Sequence, residues 1–143
     1  MISAALFAHI STAPGLEPIG DRWFPGMLPQ GKDLPAGVFT CISRVRIPVQ
    51  NGGGPFDTRY QFDMYSNDPE ELEALSVALE STMGNYRGTI TVAGTVYNII
   101  ISMLDSGDGP NYQPKLRSGT GPEPGLFRVR HDYKITHAEV TNA

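Results

Sequence analysis

One cysteine in 143 residues, Cys41, excludes a disulfide within the chain and fits a reducing compartment. It lies in an apolar strand-like run, where a small buried hydrophobe is the expected role. Long apolar runs are missing too. None approaches the roughly 20 residues that a membrane-spanning helix needs, so no membrane partner is expected. The N-terminus has no basic region, and its apolar stretch from Ala4 is broken by His9, so no signal peptide is expected. Positive charge is scarce: the formal net charge is -4, which argues against a nucleic-acid binder working by bulk charge. Histidine is limited to His9, His131 and His137. Glycine and proline are plentiful, with 16 and 12, and predict long ordered loops in a chain of one-domain size.

The strongest pattern runs from Asp57 to Met83. Tyr60, Phe62 and Met64 alternate with Arg59, Gln61 and Asp63, the period of a strand with one apolar face. Leu72, Leu75, Leu79 and Met83 then form one helical stripe. Asp68 is placed to cap that helix, Pro69 fits its first turn, and Gly84 is expected to end it in a left-handed conformation. Ahead of this pair, Ile2, Leu6 and Ile10 predict a short helix closed by Pro14-Gly15. The segment 13–36 is proline-rich and reads as irregular, anchored by Trp23-Phe24. Residues 38–49 read as a strand and 50–56 as a glycine-rich hairpin tip.

After the helix, residues 88–104 read as a hairpin turning at Ala93-Gly94. Residues 105–125 read as a long Gly/Pro-rich loop of the kind that is usually functional or disordered. In the last strand Phe127, Val129, His131, Tyr133 and Ile135 share one face. The expected fold is α+β, in one domain over residues 1–143: an antiparallel, possibly mixed, sheet of about five strands with two helices on one face. The order is α-β-β-α-β-β-β, with the long loop before the last strand.

Catalytic constellations do not emerge. His131 and His137 lie six residues apart, about 20 Å along a strand, too far to share a metal. The acids Glu70, Glu71 and Glu73 suit the start of a helix. Asp105 and Asp108 resemble part of a calcium loop, but the bidentate glutamate is missing downstream. Gly52-Gly53-Gly54 is followed by neither Lys-Ser/Thr nor a helix, so it is no phosphate loop. The expectation is a non-enzymatic protein with no cofactor.

What remains is charge distribution. Strand polar faces carry Arg44, Arg46, Arg59, Arg128, Arg130 and Lys134 against Asp57, Asp63 and Asp132, while the helix carries Glu70, Glu71, Glu73 and Glu80. A basic sheet surface and an acidic helix surface on one chain predict head-to-tail packing, which closes into a ring when the rotation permits. The loops contribute Asn51, Gly53, Phe56, Asp108 and Tyr112 as further interface candidates.

The stretches Ala4-Leu-Phe-Ala, Asp21-Arg-Trp-Phe-Pro-Gly-Met-Leu-Pro-Gln-Gly, Leu34-Pro, Val38-Phe-Thr-Cys-Ile-Ser and Arg59-Tyr-Gln-Phe-Asp-Met-Tyr, with the acidic-start helix after them, resemble the tail-completion (tail terminator) proteins of long-tailed bacteriophages. The resemblance covers roughly residues 4 to 83. It departs after Leu34-Pro, where an aromatic is common and this chain has Ala36-Gly37, and in the extended 105–125 loop. It implies a structural virion protein at the tail–neck junction, assembled in the host cytoplasm. Such a protein forms a ring, usually six-fold, on the tail tube protein, stops tube growth and receives a neck or head-completion protein. DNA only passes through its lumen, and the arginines are expected to pair across subunits. Two other readings stand beside it: another head–tail joining protein, and a small enzyme or ligand-binding module using Trp23, His131 and Tyr133 in a pocket.

Overall fold

The computed structural model describes residues 2–29, 31, 33–49, 54–112 and 126–141; for 112, 140 and 141 only the backbone is described. Along the chain run α1 (Ser3–Ser11), β1 (Trp23–Pro25), β2 (Ala36–Arg46), β3 (Phe56–Ser66), α2 (Pro69–Met83), β4 (Tyr86–Val92), β5 (Thr95–Gly107), β6 (Asn111–Tyr112) and β7 (Phe127–Thr141). They form one mixed sheet in the order β1-β2-β3-β7-β5-β4, with β6 also paired to β7. Strands β3 and β7 follow the expected alternation on the core side, whereas β2 and β5 keep it only in part. The parallel β1–β2 pair makes the sheet mixed, the option the sequence left open, while the two short strands β1 and β6 correct the count of about five and the element order.

Parallel β1 lies inside the segment expected to be irregular. Trp23 pairs with Gly37, and its ring lies where a side chain on Gly37 would stand: a Cβ there would come within 2.2 Å of the indole. Three proline-flanked residues are thus held by a glycine that admits an indole, a signal that strand periodicity does not carry. Arg22 ties the flanks together, with Nε donating to the Pro35 carbonyl at 3.1 Å and Nη2 to the Pro18 carbonyl.

The helix α2 begins as its sequence dictates. Asp68 accepts the Glu70 amide at 3.0 Å, Pro69 occupies the first turn, and Ser66 Oγ donates to Glu71 Oε1 at 2.8 Å. Its end differs from expectation. Gly84 is extended (φ -69, ψ 125), and the left-handed residue is Asn85 (φ 58). Glycine is needed at 84 for another reason: a Cβ would lie 2.6 Å from the Glu80 carbonyl oxygen. The turn between β4 and β5 is as expected, with Ala93 and Gly94 both at positive φ (50 and 82) in a two-residue hairpin.

Both helices cover one face of the sheet. The α2 helix lies across β3, β7 and β5, and α1 sits against β4. Leu72, Leu75, Leu79 and Met83 meet Tyr60, Phe62 and Met64 of β3 and Val129, Tyr133 and Ile135 of β7 in a single core. Each of these side chains contributes roughly 1.5–3 kcal/mol on burial. His9 joins the two helices: its Nε2 lies 3.3 Å from the Thr82 carbonyl oxygen, and its ring lies 4.1 Å from that of Tyr86. Cys41 is half-buried against this core rather than enclosed by it.

Bulges set which side chains share a face. One in β2, between Cys41 and Ser43, shifts the alternation by one residue. Arg44 then stands opposite Thr58 and Arg46 opposite Phe56, on the helix-covered side of the sheet. Two more in β5, around Ile100 and Asp105, shift it twice. The β5 strand runs to Gly107, Asp108 bonds β7 at both its amide and its carboxylate, and β6 follows. The first part of the expected loop is therefore structured: residues 105–107 and 111–112 belong to the sheet, 108–110 join them, and 113–125 lie outside the described residues.

Candidate functional site

The two core histidines come first, being the best-placed groups for chemistry. His131 is buried, with Nε2 2.8 Å from Ser76 Oγ and Nδ1 3.0 Å from the Tyr133 hydroxyl. Burial pushes its pKa down, against the opposing pull of Glu80, Asp108 and Asp132. This places Ser, His and Tyr in line, but no carboxylate accepts from the imidazole, and the serine faces the core from α2. The group is a hydrogen-bonded link between helix and sheet. Nearer the distal end of β7, His137 is fully buried. Its Nε2 lies 2.8 Å from Thr58 Oγ1, and its ring stacks on Phe56 with centroids 5.7 Å apart. Burial depresses this imidazole to about 4. Trp23, Phe62 and Tyr133 pack edge to face in the same core, at centroid separations of 6.1 and 5.7 Å. Trp23, His131 and Tyr133 are therefore packing and hydrogen-bonding residues of the core. Among the described residues, no three His, Cys, Asp or Glu side chains converge to hold a metal.

The uncovered face of the sheet gives a correction. Arg59, Arg128, Arg130 and Lys134 lie on it, and so do Asp57, Asp63, Asp105 and Asp132. Four cations share this face with four carboxylates, so its formal charge sums to zero and it is not basic. The cross-strand register sets Asp63 opposite Arg130, and it also sets Arg59 opposite Lys134. Asp63 is only 5% exposed; Arg130 Nε donates to its Oδ1 at 2.8 Å and Gln61 Nε2 to its Oδ2 at 3.1 Å. Arg128 Nε stands 3.9 Å off, close enough for charge but not for a hydrogen bond. The hydrogen bond to Asp63 pushes the Arg130 guanidinium pKa up. Arg59 pairs with Asp105. Arg59, Arg128 and Arg130 thus find carboxylates within their own chain, where pairing across subunits was expected.

Arg44 and Arg46 are separate from that group. Their guanidiniums lie over the Phe56 ring, 3.6 and 4.6 Å from its centroid, and Arg44 Nη2 also lies 3.5 Å from Glu139 Oε1. Among the described residues, Arg46 has no carboxylate within ion-pair range. Here β2 leaves the covered part of the molecule: every residue from Ile42 to Arg46 is exposed. Ile42 and Val45 along this arm, and Val49 just beyond its end, are large hydrophobics open to solvent.

The opposite character appears on α2. Glu70, Glu73 and Glu80 are exposed on its outer side with no cation in ion-pair range among the described residues, and Val77 sits between them, 65% exposed. Beside it, Met103 and Leu104 of β5 are 49% and 36% exposed. Together Val77, Glu80, Gly84, Met103 and Leu104 line an open hollow of about 450 Å³. Sequence reasoning named the glutamates and missed the apolar residues. Val77 was detectable as the one large hydrophobe outside the Leu72/Leu75/Leu79/Met83 stripe. Met103 and Leu104 end the stretch expected as the second strand of a hairpin, and the bulges flanking them leave no mark on that apolar pattern.

Of the remaining candidates, Asp108 is bound to the Arg130 backbone through its carboxylate at 2.8 Å. Tyr112 lies in β6, and Asn51 and Gly53 lie outside the described residues.

No family model matches this chain, and no curated protein matches it. A solved structure does: a chain of the "Virion of native gene transfer agent (GTA) particle" superposes with a TM-score of 0.60 at 10% identity. The match covers 95% of this chain and 96% of that one. At that identity what is shared is the fold, over nearly the whole of both chains.

Proposed function

We propose that this chain is a structural protein of a phage-like virion. It forms a ring, a hexamer, on the last ring of a tail tube, ends tube polymerisation and presents a docking surface to the neck or head-completion protein. One observation carries the reading: the fold matches a virion-particle chain end to end. The tail-terminator-like stretches across residues 4 to 83 support a position at the tail end. The role needs no catalytic group, and it uses DNA only as cargo passing through the opening.

Negative-stain microscopy of the purified chain, alone and mixed with its tube protein, tests this. Rings of uniform diameter, and tubes that stop elongating once rings are added, are expected. A chain that stays monomeric in both settings and leaves tube length unchanged overturns the tail-end role.

A further inference from the structure

The exposed large hydrophobics are not scattered. Among the described residues there are eight, of which Ile42 and Val45 lie on the β2 arm with Val49 just beyond its end, and Val77, Met103 and Leu104 line the hollow between α2 and β5. Exposed apolar groups gathered in this way mark contact surfaces. The two clusters differ in charge. The arm carries Arg46 with no carboxylate partner, and the hollow is rimmed by Glu80 on the acidic side of α2. They cannot satisfy each other within one chain, because β3 and β7 separate β2 from β5 by three strand spacings, about 14 Å.

We infer that the β2 arm of one copy docks into the α2/β5 hollow of a second copy of this chain. Ile42 and Val45 cover Val77, Met103 and Leu104, and Arg46, which leaves the other side of the same exposed strand, reaches round its edge to Glu80. A contact between unlike patches leaves one arm and one hollow free at the ends of any open chain of copies. Repetition continues until the ring closes. The inference rests on the ring reading above and supplies the interface for it. It replaces the sheet-to-helix contact expected from sequence, whose sheet side is already neutralised.

A charge swap tests it. Arg46→Glu makes an arm that repels the wild-type hollow, and Glu80→Lys makes a hollow that repels the wild-type arm. Both residues are exposed, and circular dichroism checks that each variant folds. Each variant alone is expected to associate roughly tenfold more weakly, as judged by sedimentation. A 1:1 mixture is expected to recover assembly. In an alternating ring, the Glu80→Lys arm meets an unaltered hollow, and the Arg46→Glu arm meets a lysine. If both variants form rings as readily as the parent chain, the docking is wrong and the ring reading survives. If each is weakened and the mixture does not recover, Arg46 and Glu80 do not meet, and the docking is again wrong. If the parent chain is monomeric at millimolar concentration and with its tube protein, both readings fall.

Discussion

His137 sets a measurable acid limit on the stability of this fold. Its side chain is fully enclosed between Phe56 and Thr58, and burial lowers its pKa from the ordinary 6.5 to about 4. Glu139 opposes the shift, and Arg44 adds to it. A lowered folded pKa means that the imidazole stays neutral in the native state after it has taken a proton in the unfolded chain. Stability therefore falls as the pH drops below 6.5 and levels off below about 4, where the folded state binds the proton too. At about 1.4 kcal/mol per pH unit the full loss is about 3 kcal/mol, of which about 2 kcal/mol is gone by pH 5. That is a sizeable part of the 5–15 kcal/mol typical of a domain.

His137→Gln isolates this contribution. Glutamine can still bond Thr58, but it does not titrate. Urea unfolding at intervals from pH 7.5 to 4.5 gives the stability of each protein at each pH. The parent chain should lose about 2 kcal/mol more than the variant between pH 7 and pH 5, although the variant starts from a lower value. Carboxylates that protonate in this range act on both proteins and cancel in the difference. Parallel curves would show that His137 is not held neutral by burial and would sink the argument.

Two further outcomes follow from single contacts. Gly84→Ala should destabilise the fold by about 1–3 kcal/mol in urea, because the new methyl meets the Glu80 carbonyl 2.6 Å away and the helix end must shift; an unchanged midpoint would show that the helix end yields freely. Asp63→Asn should cost about 1.5–3 kcal/mol at neutral pH, since Arg130 loses a charge-assisted bond and Arg128 a nearby countercharge; a stability equal to the parent would show that solvent fully replaces Asp63.

The elements legible in the sequence are those whose pattern is local. The alternation in β3 and β7, the stripe and Asp68 cap of α2, and the Ala93-Gly94 turn each depend on residues a few positions apart. What escaped depends on partners distant in sequence. Strand β1 exists because Gly37 admits Trp23, and β6 because β7 extends far enough to pair with it. The bulges at Ile42, Ile100 and Asp105 are single-residue excesses against a partner strand, visible only once the register is known. The candidate site suffered most from them. Reading the arginines by alternation alone placed Arg44 and Arg46 with Arg59, whereas one extra residue in β2 puts them on the opposite face.

This changes what the charge of the molecule means. The α2 helix carries four glutamates and no lysine or arginine, while the uncovered sheet face is balanced within itself. Among the described residues, α2 carries glutamates with no cation in ion-pair range, and the β2 arm carries Arg46 with no carboxylate in range. A two-fold contact through α2 would set glutamate against glutamate, which repels, so the acidic face disfavours a symmetric dimer there. A contact from arm to helix has no such conflict, and its halves belong to different strands of one sheet. The ordinary physiological screening length is about 8 Å, so these charges act only when the surfaces are nearly touching. They select register and partner, and the attraction itself comes from the apolar residues they flank. Raising the salt should then weaken discrimination between parent and charge-reversed copies before it weakens association as a whole.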